Sequence, residues 1–159
     1  MKKITPEIGN YIAGFVDGEG SFNVSLKKRE DYKMKWKLVA SFNISQKDRV
    51  ILSKIKNILE CGTLRERKDG VVYYEVTNIK SLQEIIIPFF NKFGFWSSYK
   101  KSSYSVFKQI VNKMYSNEHM NTKGFKEIID LREKLNIGIG RKRKYTKENI
   151  EDTKDTNAN

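Results

Sequence analysis

The segment YIAGFVDGEG, residues 11–20, joins the pattern of an amphipathic helix to an acidic ending that a helix does not favour. Pro6 suits the first position of a helix, so we predict a helix from about Pro6 to Val16. Asp17 and Glu19 then place two carboxylates among glycines at the negative end of the helix dipole. An ordinary helix end with solvated acids is one interpretation. Because the placement is unfavourable, it also indicates a role such as binding Mg²⁺, which accepts carboxylate and backbone carbonyl oxygens.

Two glycines of the same helix, Gly14 and Gly18, share one face with Tyr11. The missing Cβ atoms on that face allow a second backbone to approach closely. The helix and its glycine-acid ending occur once in the sequence, without an internal repeat. If two such helices must meet, the second has to come from a second chain, which predicts a homodimer.

After this helix the apolar pattern changes to a period of two, which is typical of half-buried strands. Two antiparallel hairpins are predicted, with strands at 21–29, 34–44, 63–67 and 71–77. A helix between them is predicted to have Ser45 as its N-cap, with Asp48 three residues later, and to end near Glu60. Further helices are predicted at 81–93, 100–115 and 122–135. This order predicts an α+β domain with a four-stranded antiparallel sheet.

Length and composition limit the classes of protein that remain. The 159 residues suit one domain, which we expect at residues 1–140. Residues 141–159 lack apolar periodicity and are expected to form a basic and polar disordered tail. One cysteine and one histidine exclude a zinc site, a disulfide framework and a Ser-His-Asp triad within one chain. No apolar run is long enough to span a membrane, so an intracellular location is expected.

A large positive charge makes a polyanion the expected partner. The sequence has 31 Lys and Arg against 19 Asp and Glu, a formal net charge of +12 and a pI of about 9.7. Binding of phosphates by such side chains releases condensed counterions, which favours nucleic acid as the partner. An anionic membrane surface is the alternative, but it requires the charge on one amphipathic helix, and much of it lies in predicted strands.

The predicted strands carry basic and hydrogen-bonding side chains on the face opposite the apolar one. Such side chains can read the edges of base pairs in the major groove, which also admits a two-stranded ribbon. The DNA-contact candidates are Asn23, Ser25, Lys27, Arg29, Lys35, Lys37, Asn43, Arg65, Arg67, Tyr73 and Glu75. An ordinary solvated sheet face is the alternative, although the first hairpin places four basic residues and no acid there. Since Tyr73 alone offers an outward ring for stacking, double-stranded DNA is favoured over single strands.

The segment YIAGFVDGEG resembles the motif that names the LAGLIDADG homing endonucleases, and that family's order of elements follows it through about Leu135. The resemblance implies an αββαββα homing-endonuclease fold with a saddle-like sheet and extra C-terminal helices. A single motif copy resembles the homodimeric branch of the family. In that branch the motif helices of two subunits pack together, here through Tyr11, Gly14, Asp17 and Gly18.

The same resemblance implies roles for individual residues. The Glu19 carboxylate, where many members have Asp, and the Gly18 carbonyl are expected to bind a divalent cation such as Mg²⁺. Asp17 matches the earlier motif acid, which has a structural role. Gln46 matches the polar residue that follows the first hairpin.

The family's basic catalytic residue is assigned to Lys100, with Lys101 and Tyr99 as alternative positions. Arg49 and Lys101 are further candidates for contacts with DNA.

The implied function is that of an intron-encoded, site-specific endonuclease. It would make a metal-dependent double-strand cut in a long, near-palindromic DNA target and leave short 3′ extensions. An intron maturase or a non-cutting DNA-binding protein of the same fold is the alternative. Lys greatly outnumbers Arg, and Ile and Asn are abundant, as in an A+T-rich genome. This composition suits a chloroplast or mitochondrion, or a bacterial or archaeal cytoplasm.

Overall fold

A computed structural model describes residues 4–135 and 143–150. Its elements are α1 (Pro6–Glu19), β1 (Gly20–Lys28), β2 (Trp36–Gln46), α2 (Arg49–Leu59), β3 (Thr63–Glu66), β4 (Val72–Val76), α3 (Ile79–Ser81), a π-helical turn (Leu82–Ile86), α4 (Ile87–Phe93), α5 (Ser98–Tyr115), a 3₁₀ turn (Glu118–Met120) and α6 (Thr122–Glu133). The predicted order of helices and strands is confirmed, with ends that shift by a few residues.

The first helix is three residues longer than predicted. Thr5 caps its start, where Thr5 Oγ1 accepts from the Ile8 N–H at 3.5 Å, and Gly20 ends it by donating its N–H to Val16. Asp17 and Glu19 therefore lie within the last turn of α1 rather than after it. Residues two apart on a helix point roughly 200° apart, so the two acids face different surroundings.

The four strands form one antiparallel sheet in the order β1-β2-β4-β3. In the first hairpin, pairing runs from Gly20 opposite Ile44 to Lys28 opposite Trp36. The helices cover one face, where alternate residues of every long strand are buried as predicted. These buried residues are Phe22, Val24, Leu26, Trp36, Leu38, Ala40, Phe42, Ile44, Val72, Tyr74 and Val76. The opposite face is more polar and only partly buried, which leaves it available to a partner.

The start of α2 differs from the prediction. Ser45 lies inside β2, and the N-cap is Asp48, whose Oδ1 accepts from the Val50 N–H at 2.8 Å. Pairing of Ser45 with Tyr73 of β4 extends the strand past the predicted boundary. Sheet pairing has thus overridden a local capping pattern.

Residues 143–150 differ from the disordered tail expected at 141–159. The Tyr145 ring packs against Trp36 with 4.9 Å between ring centroids, and Ile150 is buried. The buried Arg132 donates through Nε to the Val24 carbonyl at 2.8 Å and through Nη1 to the Tyr145 carbonyl at 3.0 Å. This segment is therefore attached to the sheet near β1. Residues 141, 142 and 151–159 lie outside the described residues.

No helix in the described ranges is both long and apolar enough to cross a membrane.

Candidate nucleic-acid interface and acidic site

The Asp17 carboxylate joins the end of α1 to the start of α5. Its Oδ2 accepts from the backbone N–H groups of Trp96 at 2.9 Å and Ser97 at 3.0 Å, and its Oδ1 accepts from Ser97 Oγ at 2.6 Å. Burial raises the pKa of Asp17, but these hydrogen bonds and the charge of Lys100 outweigh it and hold the pKa below its usual range. Such contacts give Asp17 a structural place within the subunit.

The Glu19 carboxylate, by contrast, points to solvent. Within the described part of the chain it has no hydrogen bond and no ion pair. Carbonyl groups in the last turn of α1, including that of Gly18, lack helical partners. Neither residues 4–135 nor residues 143–150 contain three clustered His, Cys, Asp or Glu side chains that could hold a metal. The available ligands are thus a carboxylate and a carbonyl, a hard oxygen set that suits Mg²⁺ when water and phosphate complete its shell.

Lys100 lies beside these acids, in the first turn of α5. Only 7% of the residue is exposed, and its Nζ donates to the Gly20 carbonyl. Burial lowers the pKa of the Lys100 ammonium, whereas the charges of Asp17 and Glu19 act in the opposite direction. The ammonium group of Lys100 therefore binds the junction of α1 and β1 from its buried side.

The two alternative positions for the basic catalytic residue, Lys101 and Tyr99, are more exposed than Lys100. Lys101 is exposed on the surface of α5. Tyr99 is 38% exposed and lines a cleft of about 580 Å³ along β1, together with Asp17, Gly18 and Lys100. Lys100 contacts the backbone of the acidic segment directly, through its bond to the Gly20 carbonyl.

Gln46 is the last residue of β2. Because Gly20 pairs with Ile44, Gln46 extends two residues beyond the start of β1, towards the end of α1. Its Oε1 accepts from the Lys47 N–H at 2.8 Å. Sheet register thus brings Gln46 to the same end of the sheet as Glu19.

One face of α1 is open over most of its length. Tyr11 is 60% exposed, and a Cβ built at Gly14 or Gly18 meets no other atom within 4 Å. Trp96, which follows α4, is 93% exposed and borders the same helix with Gly14. Three of the predicted interface residues, Tyr11, Gly14 and Gly18, therefore lie on an accessible surface with a large aromatic side chain at its edge. The fourth, Asp17, is bound within its own subunit.

The open sheet face carries the predicted DNA-contact residues in cross-strand pairs. Lys27 pairs with Lys37, Asn43 with Glu75, and Arg65 with Tyr73. Asn23 and Ser25 continue the same face of β1 opposite Ser41 and Val39. Since like charges directly opposite each other destabilise a sheet, the Lys27–Lys37 pair suits a surface that binds an anion.

Three basic candidates lie outside the strands that were predicted to contain them. Arg29 and Lys35 belong to the turn between β1 and β2, where Arg29 binds Asp31 through two hydrogen bonds of 2.7 and 2.8 Å. Lys35 has a φ of 58°, and its Nζ lies 3.7 Å from Glu30. The prediction of an outward strand face with four basic residues is therefore wrong, because strand pairing ends at Lys28 and Trp36.

The third of these, Arg67, and the helical candidate Arg49 are also paired with acids. Arg67 follows β3, where it lies 2.7 Å from Asp69 and donates to the Tyr73 hydroxyl at 2.6 Å. Arg49 opens α2 and lies 3.1 Å from Glu66. These exposed ion pairs are weak enough for a phosphate to compete with them.

Ser97 was not identified from the sequence. As an N-cap serine before α5 it has a recognisable local pattern, and its oxygen accepts from the Lys100 N–H at 3.1 Å. Its contact with Asp17, however, spans 80 residues and has no local signal.

Comparisons with known proteins agree with this architecture. Residues 12–111 match the family model described as LAGLIDADG endonuclease. The chain is 38% identical over 136 residues to the probable intron-encoded endonuclease 2 of Neurospora crassa. This alignment covers 83% of this chain and 30% of that protein. It is 38% identical over 84 residues to DNA endonuclease I-CvuI of Chlorella vulgaris, covering 50% of this chain and 52% of that one.

Solved structures give the same result. I-SmaMI bound to uncleaved DNA in the presence of calcium ions superimposes with a TM-score of 0.80 at 28% identity, over 95% of this chain and 49% of that one. I-SmaMI bound to cleaved DNA superimposes with a TM-score of 0.80 at 27% identity, over 97% of this chain and 49% of that one. The chain thus spans about a third to a half of the length of these relatives. The predicted homing-endonuclease fold is confirmed, and the chain belongs to the LAGLIDADG endonuclease family.

Proposed function

We propose that this protein is a site-specific endonuclease that makes a metal-dependent double-strand cut in DNA. The observation that carries the proposal is the exposed Glu19 carboxylate at the junction of α1 and β1. Buried Lys100 lies beside this junction, and the polar face of the sheet begins there. Relatives are named as DNA endonucleases and as an intron-encoded endonuclease, and these names support the same activity and an intron-encoded origin.

The residues of the acidic site fit a hard divalent cation, for which we propose Mg²⁺. Glu19 would bind it through its carboxylate and Gly18 through its carbonyl. When bound, such an ion activates water and stabilises charge on a phosphate oxygen.

The chain's own groups have distinct parts in this reaction. Lys100 adds positive charge close to the reacting phosphate, which stabilises the charge developing there. Gln46 approaches the same site from the end of β2 and can orient water through its amide. Asp17 holds the start of α5, which carries Lys100. No histidine is needed for these steps.

We infer that two copies of the chain act together. The matched DNA-bound structures are larger two-domain chains, of which this chain covers about half. Gly14 and Gly18 leave room on α1 for a second helix, and Tyr11 is exposed beside them. A two-fold dimer would present two acidic sites, one for each DNA strand, and two sheets along a long, near-palindromic target.

Incubation of the protein with a randomised duplex library and with intron-flanking DNA tests the proposal. We expect double-strand cuts in the presence of Mg²⁺, at one class of related target sequences. In the presence of a chelator we expect no cuts. Sequencing the ends should show short 3′ extensions. Binding of duplex DNA without any Mg²⁺-dependent cut would favour the non-cutting alternative and defeat the endonuclease assignment.

Replacement of Arg65 by Ala should relax the preference for one base position in each half-site. Arg65 is exposed on β3, and a bidentate contact with a guanine contributes about 1–3 kcal/mol of discrimination. Cleavage rates over a set of single-base target variants measure this effect. Arg67→Ala is the comparison variant, because Arg67 lies in the turn, where a phosphate can compete with Asp69 for it, and its loss should weaken cleavage equally on every target. An equal loss on every target with Arg65→Ala would identify Arg65 as a phosphate contact instead.

A further inference from the structure

The side chain of Ser97 connects two parts of the acidic site that are distant in the sequence. Its hydroxyl donates to Asp17 Oδ1 at 2.6 Å, and its oxygen accepts from the Lys100 backbone N–H at 3.1 Å. A serine hydroxyl has one donor and two acceptor positions, so it can form both bonds at once. Asp17 and the helix that carries Lys100 are thereby joined through a single group.

The Lys100 side chain closes this connection into a ring. Its Nζ donates to the Gly20 carbonyl, while Asp17 Oδ2 accepts from the Ser97 N–H at 3.0 Å. The first turn of α5 therefore holds the segment 17–20 at both of its ends. Glu19 lies between the two points of attachment.

We propose that Ser97 is a positioning residue, which fixes the backbone of Glu19 relative to the ammonium group of Lys100. The inference deepens the proposed endonuclease function and rests on it. A carboxylate and a cation that serve one phosphate must be held at a set separation, since a displacement of about 1 Å can cost about 10²-fold in rate. The ring through Ser97 is the connection that sets this separation.

A role in folding alone explains the arrangement less well. Ser97 is exposed and Asp17 is only partly buried, whereas the core below them is formed by residues such as Phe22, Phe95 and Tyr104. Ser97 also caps α5, so a test has to separate the capping contact from the contact with Asp17.

Three substitutions of Ser97 make this separation. Ser97→Thr keeps a hydroxyl that can donate to Asp17 and cap the helix. Ser97→Asp keeps a good N-cap acceptor but cannot donate, and it brings a second carboxylate against Asp17. Ser97→Ala removes both contacts.

Single-turnover cleavage of the DNA that the unchanged protein cuts in Mg²⁺ is the first measurement. We expect the rate to fall about 10²-fold for Ser97→Asp and Ser97→Ala, and to stay close to the original for Ser97→Thr. The dissociation constant for the same DNA in Ca²⁺ should be unchanged in all three. Full activity of Ser97→Asp, or an equal loss with Ser97→Thr, would overturn the inference.

Amide hydrogen exchange of the free protein is the second measurement and needs no substrate. Exchange at residues 18–20 should accelerate for Ser97→Asp but not for Ser97→Thr, with amides outside residues 17–20 and 96–100 unaffected. Equal exchange at these amides in every variant would also overturn the inference. If the unchanged protein cuts no DNA while exchange at residues 18–20 does accelerate, the endonuclease function fails and the connection through Ser97 stands.

Discussion

A Glu19→Gln variant should bind its DNA target normally but cut it about a thousandfold more slowly in Mg²⁺. The amide has nearly the shape of the carboxylate and no charge, so the variant lacks the one carboxylate that we propose as a ligand for the cation. A metal ion at a reacting phosphate contributes several kcal/mol, and a loss of about 4 kcal/mol corresponds to about a thousandfold in rate. Single-turnover cleavage and a separate binding assay in Ca²⁺ measure the two effects.

Two further variants test whether the loss of cleavage is specific to the charge at residue 19. Glu19→Asp keeps the charge and restores the acid found in many family members, so it should retain most of the activity. Asp17→Asn removes the other acid of the motif, whose carboxylate accepts hydrogen bonds from Trp96 and Ser97 within the subunit. Cleavage by Glu19→Gln at the original rate would exclude Glu19 as the metal ligand.

The second large effect is expected from Gly14→Leu, which should turn the proposed dimer into a monomer and abolish cleavage with it. A Cβ at Gly14 meets nothing within its own subunit, so the fold should tolerate the new side chain. Overpacking costs about 1–3 kcal/mol at each site, and a two-fold interface contains the site twice. The dimer dissociation constant should therefore rise roughly 30-fold to 10⁴-fold. Analytical sedimentation over a range of concentrations measures it.

Gly9→Leu is the matched control on the same helix. A Cβ at Gly9 would lie 2.2 Å from the Phe93 ring, so this change should lower the melting temperature of the subunit itself. Gly14→Leu should not lower the melting temperature of the monomer, because leucine is a better helix former than glycine and meets no clash there. A Gly14→Leu protein that stays dimeric and active would place the interface on another surface.

Much of the architecture follows from local patterns in the sequence. The alternation of Phe22, Val24 and Leu26 with polar residues sets the buried face of β1, because successive side chains of a strand point to opposite sides. The same argument identifies Lys27 and Lys37 on the open face. It fails at Arg29, where the chain has already left the strand and a nearby acid binds the guanidinium.

The acidic site is harder to predict, because its contacts are distant in the sequence. The position of Glu19 follows from the motif, but the burial of Lys100 against Gly20 depends on how α5 packs beside β1. Ser97 shows the same limit, since its cap is local and its contact with Asp17 is not. Local patterns therefore identify which residues carry charge, and packing decides which of them meet.

The Lys27–Lys37 pair has a consequence for the free protein. Two ammonium groups held opposite each other repel, and a net charge of +12 adds to this strain on the folded chain. Dissolved salt screens the repulsion and so favours the folded state. The same salt weakens the binding of a polyanion, because each counterion released into a more concentrated salt solution gains less entropy. Ionic strength thus acts in opposite directions on folding and on DNA binding, and the two equilibria are linked through the same side chains.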